Sequence, residues 1–509
     1  MWFFSSVPIR VHPWFHLFAL IFCLLWVLCV FALKLEDGRL ATPRERVLTP
    51  PENRLKLPAM DPTGKPIPGQ PSGPQEQFPI AAQPNVADTA GTKQSTVRTA
   101  LAGLIGNVLE WFDFAVYGYF ASHIGHQFFP SGDPAAEQFR AFATFALGFL
   151  ARPIGSLVLG RVGDRIGRRA LLTLSISLMG SATLLLGLLP TYNQIGLAAP
   201  LLLMLMRIIQ GISLGGEFTG SMVYTTEASS ALIRGLVSSS TAAGTTIGFI
   251  IGSATAWAVN ASLTPANVDT WGWRIPFIGS VVFLVAGYFL RRGIKETEEG
   301  LKAREARPPL WPSLVADWRP IIQTIGVVAM TNAAYYLTFT YAVERRKAMA
   351  TTDASVFQLA NTLALFVVLF AKPLGGWLSD RIGRRRLMML LTIVVMALIY
   401  TAYRMMLYGA PKTFIVGQIL LGVPLGMALG LQGAMVVELF PLRTRVTSMS
   451  FAYSLTLALA GGTAPMVSNW LIETLKQTLA PVFYIIAYGV FGLVVMWPMA
   501  ETNARRLDQ

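Results

Sequence analysis

The chain has 509 residues, of which 53% are hydrophobic and only 13% are charged, whereas a soluble globular chain carries about 25% charged residues. Its formal net charge of +14 does not indicate nucleic-acid binding, because the basic residues fall in short segments between apolar runs and form no stripe beside aromatic residues. The composition therefore excludes a soluble domain and predicts a protein whose solvent is the lipid bilayer.

An N-terminal extension, residues 1–96, precedes the main apolar body of the chain. Residues 13–33 form an apolar run long enough to span a bilayer, and the proline-rich residues 34–96 are typical of a linker. Two interpretations stay open: the run is an extra membrane anchor, or translation starts later, at Met60, and the run is absent from the product.

Apolar stretches of about 17 to 25 residues, the length of a helix that crosses a bilayer, recur along the rest of the chain. We predict twelve spans, near residues 99–122, 138–160, 170–189, 197–223, 235–259, 274–290, 320–343, 355–375, 387–408, 413–437, 446–470 and 480–499.

The order of these spans predicts two six-helix bundles, at 97–292 and 320–500, joined by a basic central loop at 293–319. Lys and Arg are concentrated in alternate connections, which predicts that those connections and both ends of the twelve-span body face the cytoplasm. Residues 344–347, with the sequence Glu-Arg-Arg-Lys, are an exception, because they fall on the predicted outer side.

Internal repetition supports the division into two halves. The string DRIGRR occurs at residues 164–169 and again at 380–385. Glu227 precedes Arg234 by seven positions after the fourth span, and Glu438 precedes Arg445 by seven positions after the tenth. Duplicated bundles of this kind are typical of secondary transporters, which bind their solute near the bilayer midplane and open to each side in turn.

Several motifs resemble those of a known family. The segments at 160–169 and 376–385, each with a glycine four residues before the aspartate of the DRIGRR string, resemble the loop signature of the major facilitator superfamily. The segments GNVLEWFDFAVYG (106–118), RIIQGISLGGE (207–217), WGWRIPF (271–277) and GGTAP (461–465) resemble its metabolite:proton symporter branch. The resemblance implies an all-α membrane protein of the major facilitator fold, with twelve transmembrane helices in two pseudo-symmetric bundles.

The loop signature implies a gating role. Its glycines allow a tight turn, and its aspartates can accept hydrogen bonds from helix ends or arginines, so we expect Asp164 and Asp380 to latch the two halves. For Arg168, Arg169, Arg384 and Arg385, the alternative of setting topology alone is favoured. The gating candidates are Gly160, Asp164, Arg165, Gly167, Arg168, Arg169, Gly376, Asp380, Arg381, Gly383, Arg384 and Arg385.

Four polar side chains share one face of the first span, within an arc of about 120° at about 100° per residue: Asn107, Glu110, Asp113 and Tyr117. Charged groups persist at bilayer depth mainly where they line a cavity or have partners. Two carboxylates in such a stripe can exchange protons if burial or mutual repulsion stabilises the neutral form of one. Asp113 is the first candidate for the proton carrier because its short side chain reaches water less easily, and Asn107 and Tyr117 are candidate substrate contacts.

On the fourth span, Arg207, Gln210 and Glu217 fall within an arc of about 80°. Arg207 can hold a substrate carboxylate or pair with a span carboxylate and set its proton affinity. For Glu217, near the end of the span, a permanent structural ion pair is an equal alternative to proton coupling.

Two further intramembrane cations, Arg152 and Lys372, each precede Pro and stand within a predicted span. Both are candidate substrate contacts, although Lys372 is expected to snorkel towards the loop more easily than Arg152. On the seventh span, Asn332, Tyr335 and Tyr336 are neutral candidates for substrate binding, with helix packing as the alternative. His123 and His126 are expected to be solvated residues beyond the first span, with a weak metal site or a pH sensor as the alternative.

The resemblance implies a secondary transporter that carries a small organic acid, a dicarboxylate, tricarboxylate or shikimate-like metabolite, together with protons across the bacterial inner membrane. The three intramembrane cations favour an anion, while a zwitterionic osmolyte such as proline or betaine, or a sensor that binds a solute without moving it, remains the alternative. No nucleophile with an adjacent base and no metal-ligand cluster indicates an enzyme. We expect no cofactor or metal, no nucleic-acid partner, and a monomer.

Overall fold

The computed structural model describes the backbone of residues 96–166, 168–282, 284–285, 310–349 and 355–503. Within these ranges the side chains of 96–106, 109, 160–173 and 310 are left undescribed. The predicted extension 1–95, most of the central loop, and the side chains of the first DRIGRR motif, including Gly160, Asp164, Arg165, Gly167, Arg168 and Arg169, therefore lie outside the described residues.

The described part of the N-terminal half is helical. Its helices are α1 (Thr96–Tyr119), α2 (Ala121–Phe128), α3 (Pro134–Leu150), α4 (Arg152–Ile166), α5 (Arg168–Leu188), α6 (Tyr192–Ile195), α7 (Ala198–Ser213), α8 (Glu217–Glu227), α9 (Arg234–Ser262), α10 (Pro265–Thr270) and α11 (Ile275–Gly279). Helix α3 begins at Pro134, four residues before the predicted second span, because Pro134 occupies its first turn and the Asp133 side chain accepts from the Ala135 amide at 3.0 Å.

The C-terminal half is built in the same way. Its helices are α12 (Leu310–Ala316), α13 (Trp318–Tyr336), α14 (Ala342–Met349), α15 (Ser355–Ile382), α16 (Arg384–Tyr408), α17 (Pro411–Val437), α18 (Arg445–Thr456), α19 (Ala464–Leu475) and α20 (Ala480–Met496). Two π-helical turns, Leu337–Tyr341 and Leu457–Gly462, join α13 to α14 and α18 to α19. Such turns are frequent at functional sites because they re-aim the side chains of an otherwise regular helix.

Seven of the described helical segments are long and apolar enough to cross a membrane: Pro134–Leu159, Ala198–Glu227, Arg234–Ser262, Ser355–Ile382, Arg384–Tyr408, Pro411–Val437 and Arg445–Leu475. Leu174–Leu188 and Ala480–Met496 are shorter apolar helices. The predicted seventh span does not end before its charged residues, because α14 carries the helix on to Met349.

The fourth predicted span is wrong in one respect. The helix is interrupted between Ser213 and Glu217, so the regular angular spacing that grouped Glu217 with Arg207 and Gln210 does not hold across the break. The physical reason lies in the glycines: a Cβ at Gly215 would overlap the backbone of Gly155 and Ser156, so α4 approaches this segment more closely than side chains would allow.

Helix packing brings the candidate site to the centre of the molecule. Helix α1 packs closely along α9, where a Cβ at Gly248 would lie 2.6 Å from the Val108 carbonyl oxygen. In the other half, α17 approaches α15 so closely that a Cβ at Gly430 would overlap the backbone of Lys372. The two halves meet mainly along α9 and α15, with α4 and α8 against α18.

Candidate functional site

Both carboxylates of α1 are buried and paired with arginines from other helices. Arg152, the first residue of α4, places Nη2 at 2.9 Å from Glu110 Oε1. Arg207 of α7 places Nη1 at 3.6 Å from Asp113 Oδ2, which is longer than a hydrogen bond. All four side chains are at most 3% exposed. Charges are costly at this depth, so each acid depends on the cation beside it.

Arg207 is held by polar groups as well as by its acid. Its Nη1 donates to Gln210 Oε1 at 2.8 Å, and Gln210 Nε2 donates to the Thr183 hydroxyl of α5 at 2.9 Å. Asp113 and Thr183 line a small cavity of about 30 Å³ between α1 and α5. The predicted Arg207–Gln210 face therefore meets the acidic face of α1, and Asp113 borders space that can hold about one water molecule.

The other two members of the predicted α1 stripe have different partners. Asn107 Nδ2 donates to the Ser221 hydroxyl of α8 at 3.1 Å. The Tyr117 hydroxyl donates to the Ala141 carbonyl at 3.2 Å, and its ring lies against the Arg207 guanidinium with the Cζ at 4.4 Å from the ring centroid. Both residues therefore hold α1 to its neighbours within the N-terminal half.

Glu217 lies apart from the two acid–arginine pairs. It is the first residue of α8, after the helix interruption, and its carboxylate accepts from the Ser175 hydroxyl of α5 at 3.3 Å. The structure therefore does not bring Glu217 together with Arg207 and Gln210, and the helix break is the reason.

A second cavity lies between the two halves, on the other side of α1. It is lined by Trp111, Phe218, Met222, Ala242, Thr245, Asn332, Tyr335, Tyr336, Lys372, Leu429, Gln432 and Tyr453. Its volume is about 20 Å³, which is room for about one water molecule. The lining is aromatic, with one cation, one amide pair and several hydroxyls. This composition is typical of a small-molecule binding site, but in this conformation the site is closed and holds little space.

Lys372 does not snorkel, contrary to the prediction from its distance to the loop. It is 1% exposed, and its Nζ donates to the Ala242 carbonyl at 2.6 Å and to the Thr245 hydroxyl at 2.9 Å. Both acceptors belong to α9 of the other half. The close approach of α17 to the Lys372 backbone fixes where this side chain starts, so it points into the interface between the halves and not along α15 to the surface.

Asn332, Tyr335 and Tyr336 of the seventh span all line this cavity. Asn332 Nδ2 lies 3.4 Å from Gln432 Oε1, and the Tyr453 hydroxyl donates to the same oxygen at 3.3 Å. The Tyr336 hydroxyl is buried and has no hydrogen-bond partner among the described residues. Buried hydroxyls are normally satisfied, so Tyr336 is available to a bound solute.

Sequence reasoning missed Trp111, Thr245, Gln432 and Tyr453. A signal existed for Gln432, which is an amide within the most apolar described span, a position where polar side chains usually have a partner or line a cavity. Trp111 and Tyr453 carry no comparable signal, because aromatic residues are common on any helix that packs against another.

One face of the molecule, which we call the motif face, contains the second DRIGRR motif. Asp380 accepts from the backbone amides of Gly235 and Leu236 at 2.8 and 2.9 Å and so caps the start of α9 in the other half. Arg384 is fully buried, and it binds Asp380 at 2.9 Å and Glu438 at 2.8 Å. Arg384 therefore helps to close this face, beyond the topological role expected for it.

The repeated Glu and Arg residues cross between the halves at the same face. Arg234 Nη1 lies 3.3 Å from Glu438 Oε1, and Arg445 Nη1 lies 2.6 Å from Glu227 Oε1. Each half thus supplies one acid and one arginine. Together with the Asp380 cap, these pairs form what we call the motif-face closure.

The opposite face is closed as well. Glu344 of α14 accepts from the Ser122 hydroxyl at 3.0 Å, and Lys347 donates to Glu344 at 2.7 Å and to the Tyr119 carbonyl at 3.1 Å. Asn361 of α15 donates to the Tyr119 hydroxyl at 3.0 Å. The charged residues that break the topological pattern are thus used to join the halves, and a chain closed at both faces is in an occluded conformation.

The two histidines beyond the first span share one partner. His126 Nδ1 lies 2.8 Å and His123 Nδ1 lies 3.2 Å from the carboxylate of Asp269 in α10. Burial acts to raise the pKa of Asp269, but the hydrogen bonds and charges of the histidines outweigh it, so this pKa lies below its usual value. Among the described residues, no group of three His, Cys, Asp or Glu side chains is placed to hold a metal ion.

Comparison with known proteins agrees with this architecture. Residues 99–299 match the family described as "Sugar (and other) transporter", and residues 328–507 match the "Major Facilitator Superfamily". The citrate-proton symporter of Klebsiella pneumoniae is 36% identical over 407 residues, covering 79% of this chain and 91% of that protein. The proline/betaine transporter of Escherichia coli (strain K12) is 32% identical over 419 residues, covering 80% and 84%.

Solved structures show the same fold. The proton:xylose symporter XylE bound to 6-bromo-6-deoxy-D-glucose superposes with a TM-score of 0.66 at 16% identity, covering 81% of this chain and 98% of that one. These relatives and structural neighbours are transporters, not enzymes. The chain therefore belongs to the major facilitator superfamily, among its metabolite:proton symporters, and is a multi-pass membrane protein that transports a metabolite in a proton-coupled manner.

Proposed function

We propose that the protein is a symporter that carries a small organic anion, of the dicarboxylate, tricarboxylate or shikimate-like class, together with protons. The observation that carries this proposal is the buried Lys372 amine in the cavity between the halves, where its hydrogen-bond partners are a carbonyl and a hydroxyl. In the part of the chain that the structure describes, no carboxylate pairs with this amine, which favours an anionic ligand, because such a ligand would neutralise a charge that is costly to bury.

The surrounding groups suit a carboxylate as well. The Tyr336 hydroxyl, the Asn332 amide and the Tyr453 hydroxyl line the same cavity and can donate hydrogen bonds to acid or hydroxyl oxygens. Arg152 lies beside Trp111 at the N-terminal wall and supplies a second cation if it exchanges Glu110 for a substrate oxygen.

Asp113 is the proton carrier in this proposal. It is buried, it borders a small cavity, and its only charged partner among the described side chains within 4 Å is Arg207, at a distance longer than a hydrogen bond. An acid in this setting can lose or gain a proton with a small movement of Arg207. Glu110, held at 2.9 Å by Arg152, is the second acid of the same stripe and takes part in the coupling through its arginine.

Transport requires the two closures to open in turn. We propose that the motif face lies in the cytoplasm, that the protein resides in the inner membrane of a bacterium, and that it acts as a monomer. Solute and proton would then enter from the Glu344 side while the motif-face closure is intact, and leave after the reciprocal Glu–Arg pairs separate.

A zwitterionic osmolyte is the second candidate. The proline/betaine transporter is a relative, and the aromatic lining formed by Trp111, Tyr335, Tyr336 and Tyr453 could receive a quaternary ammonium group. The Lys372 amine in the same cavity, 5.6 Å from the Tyr335 ring centroid, opposes a cation there, which is why we favour the anion.

The test is uptake by the purified protein in proteoliposomes with an imposed pH gradient, alkaline inside. Labelled citrate, 2-oxoglutarate, shikimate, proline and betaine are compared. We expect an organic acid to accumulate and the accumulation to disappear when a protonophore collapses the gradient. Accumulation of betaine or proline alone would overturn the substrate class, and binding without accumulation would indicate a sensor.

Asp113→Asn tests the proton site. The amide cannot exchange a proton, so uphill uptake should stop while exchange of labelled for unlabelled solute continues. Normal gradient-driven accumulation by this variant would remove Asp113 from its proposed role.

A further inference from the structure

Helix α1 repeats an acid followed by an aromatic residue at a spacing of three. Glu110 and Trp111 form the first pair, Asp113 and Phe114 form the second, and Tyr117 follows three residues later. At about 1.5 Å per residue, successive rings are separated by about 4.5 Å along the helix, and residues three apart lie on neighbouring parts of one face. The three rings therefore form a ladder beside the two acids.

The two arginines occupy successive gaps of this ladder. The Arg152 Cζ lies 5.3 Å from the Trp111 ring centroid and 4.6 Å from that of Phe114. The Arg207 Cζ lies 4.7 Å from the Phe114 ring centroid and 4.4 Å from that of Tyr117. Among the described side chains, Phe114 is the one ring that both guanidinium groups contact. It is fully buried, and its ring packs against Phe145 and Phe149.

The charges of this group balance only while both acids are ionised. Two arginines and two carboxylates sum to zero, and a proton on Asp113 leaves one positive charge. Arg207 then loses its counter-ion and moves closer to the Phe114 and Tyr117 rings, which attract a cation electrostatically. Any shift of Arg207 towards or away from Phe114 changes the surface on which Arg152 rests.

We propose that Phe114 is a positioning residue that couples the two sites. Through its ring, the protonation state of the Asp113–Arg207 pair sets the position of Arg152 and thus its readiness to exchange Glu110 for an anionic substrate. This inference rests on the proposed function and adds to it a route from the proton to the substrate. Phe114 lines neither of the two cavities.

Several other charged or titratable groups face the same cluster. Asp113 faces Arg207 of α7 and Thr183 of α5, while Arg152 is close enough to act electrostatically on Arg207. The phenols of Tyr336 on α13 and Tyr453 on α18 face Glu110 and Arg152, and Lys372 of α15 lies across the cavity. Measurements of pH dependence must therefore compare variants that change the ring alone and leave all these groups in place.

The chain offers matched control variants. Phe149 contacts Arg152, with the Cζ 4.8 Å from its ring centroid, and Phe145 contacts Arg207 at 5.5 Å. Phe114→Leu removes the shared ring, whereas Phe149→Leu and Phe145→Leu each remove a ring that serves one arginine. Phe114→Tyr keeps the aromatic face. Thermal unfolding and gel filtration in detergent identify any variant that fails to fold.

The readout is the KM for labelled citrate, or for 2-oxoglutarate if citrate is not carried, measured in proteoliposomes over a series of outer pH values. In the unmodified protein we expect the KM to rise with pH, towards a limit of about tenfold per pH unit for one linked proton. Phe114→Leu should flatten this slope at least threefold and lower the proton:anion ratio, while the two control variants shift the KM and keep the slope. Phe114→Tyr, which keeps the aromatic ring, should retain the pH slope of the unmodified protein.

The outcomes separate this inference from the proposed function. If the unmodified protein accumulates none of the organic acids, the proposed function fails. If it accumulates one, but Phe114→Leu keeps the same pH slope and proton:anion ratio as the controls, the coupling role of Phe114 is overturned. If Phe114→Leu does not fold, Phe114→Met takes its place with the same expectations.

Discussion

Glu438 is the residue whose neutralisation should most clearly release the motif-face closure. Its carboxylate accepts from Arg384 Nε at 2.8 Å, from Arg384 Nη2 at 3.0 Å and from Arg234 at 3.3 Å, and it is buried. Removing one partner of a buried ion pair costs about 3–5 kcal/mol. Glu438→Gln keeps one acceptor oxygen, and Arg384 keeps Asp380, so we expect a cost of about 3 kcal/mol, the low end of that range.

The part of this cost that falls on the closed conformation is the loss of Arg234, because Arg234 comes from the other half and leaves Glu438 when the face opens, whereas Arg384 and Glu438 lie in one half. One hydrogen bond to a charged group contributes about 1.5 kcal/mol, which corresponds to an increase of about tenfold in the ratio of open to closed motif face. The rest of the cost falls on the C-terminal half itself, where Arg384 keeps Asp380 as a partner.

The maleimide reactivity of a cysteine introduced in place of Ser239 measures the opening of the motif face. Ser239 is buried in α9, where a Cβ at Gly376 of α15 would lie 3.0 Å from the serine Cβ. In a background where Cys23 and Cys29 are replaced by serine, Ser239→Cys should react slowly with a maleimide, and adding Glu438→Gln should raise the rate by up to about tenfold.

The control is Glu473→Gln on the opposite face, where a partly exposed carboxylate pairs with Arg345 at 4.0 Å and with Lys476 at 3.4 Å. Exposed pairs of this kind contribute about 0–1 kcal/mol, so the labelling rate should stay within a few-fold of the parent. Equal rates in the Glu438 and Glu473 variants would refute the closure as described.

Three further predictions concern the cavity, the helix packing and the histidine cluster. Lys372→Gln should raise the KM for the organic anion at least tenfold in the uptake assay, and an unaltered anion KM would contradict the substrate site. Gly462→Ala places a Cβ against the Phe149 ring in the π-helical turn, so thermal unfolding should show a loss of about 1–3 kcal/mol, and a neutral effect would mean that this contact relaxes freely. Because the pKa of Asp269 is lowered in the folded protein, its stabilising contribution is present at neutral pH and is lost as pH falls through that pKa. Asp269→Asn should therefore lower the unfolding temperature at pH 7, and the deficit should shrink as the pH falls below the ordinary Asp pKa of about 3.9; a deficit independent of pH would contradict the linkage.

Angular spacing along a single uninterrupted helix predicted which polar residues share a face. On α1 it placed Glu110 and Asp113 on one face, and in the structure both acids pair with arginines from neighbouring helices. The same arithmetic failed for Glu217 because it assumes a continuous helix. The glycines that interrupt the fourth span are visible in the sequence, but their close approach to α4 is a property of tertiary packing.

The sequence did not predict which charged residues pair across the two halves. The repeated Glu and Arg residues marked the duplication, yet their reciprocal pairing across the halves depends on how the bundles pack. Residues 344–347 looked like an exception to the distribution of positive charge. They are needed where they stand because Glu344 and Lys347 bind groups of the other half, and a local function of this kind overrides a statistical rule about topology.

The reciprocal pairs bear on the origin of the chain. Arg234 with Glu438 and Arg445 with Glu227 are the same contact made twice, once in each direction, as in a two-fold symmetric dimer. A single six-helix ancestor that paired with its own copy would already have possessed both ion pairs, so fusing two genes required no new ion pair between the halves. Each ion pair needs one residue from each half, so a mutation in either half removes a contact of both halves.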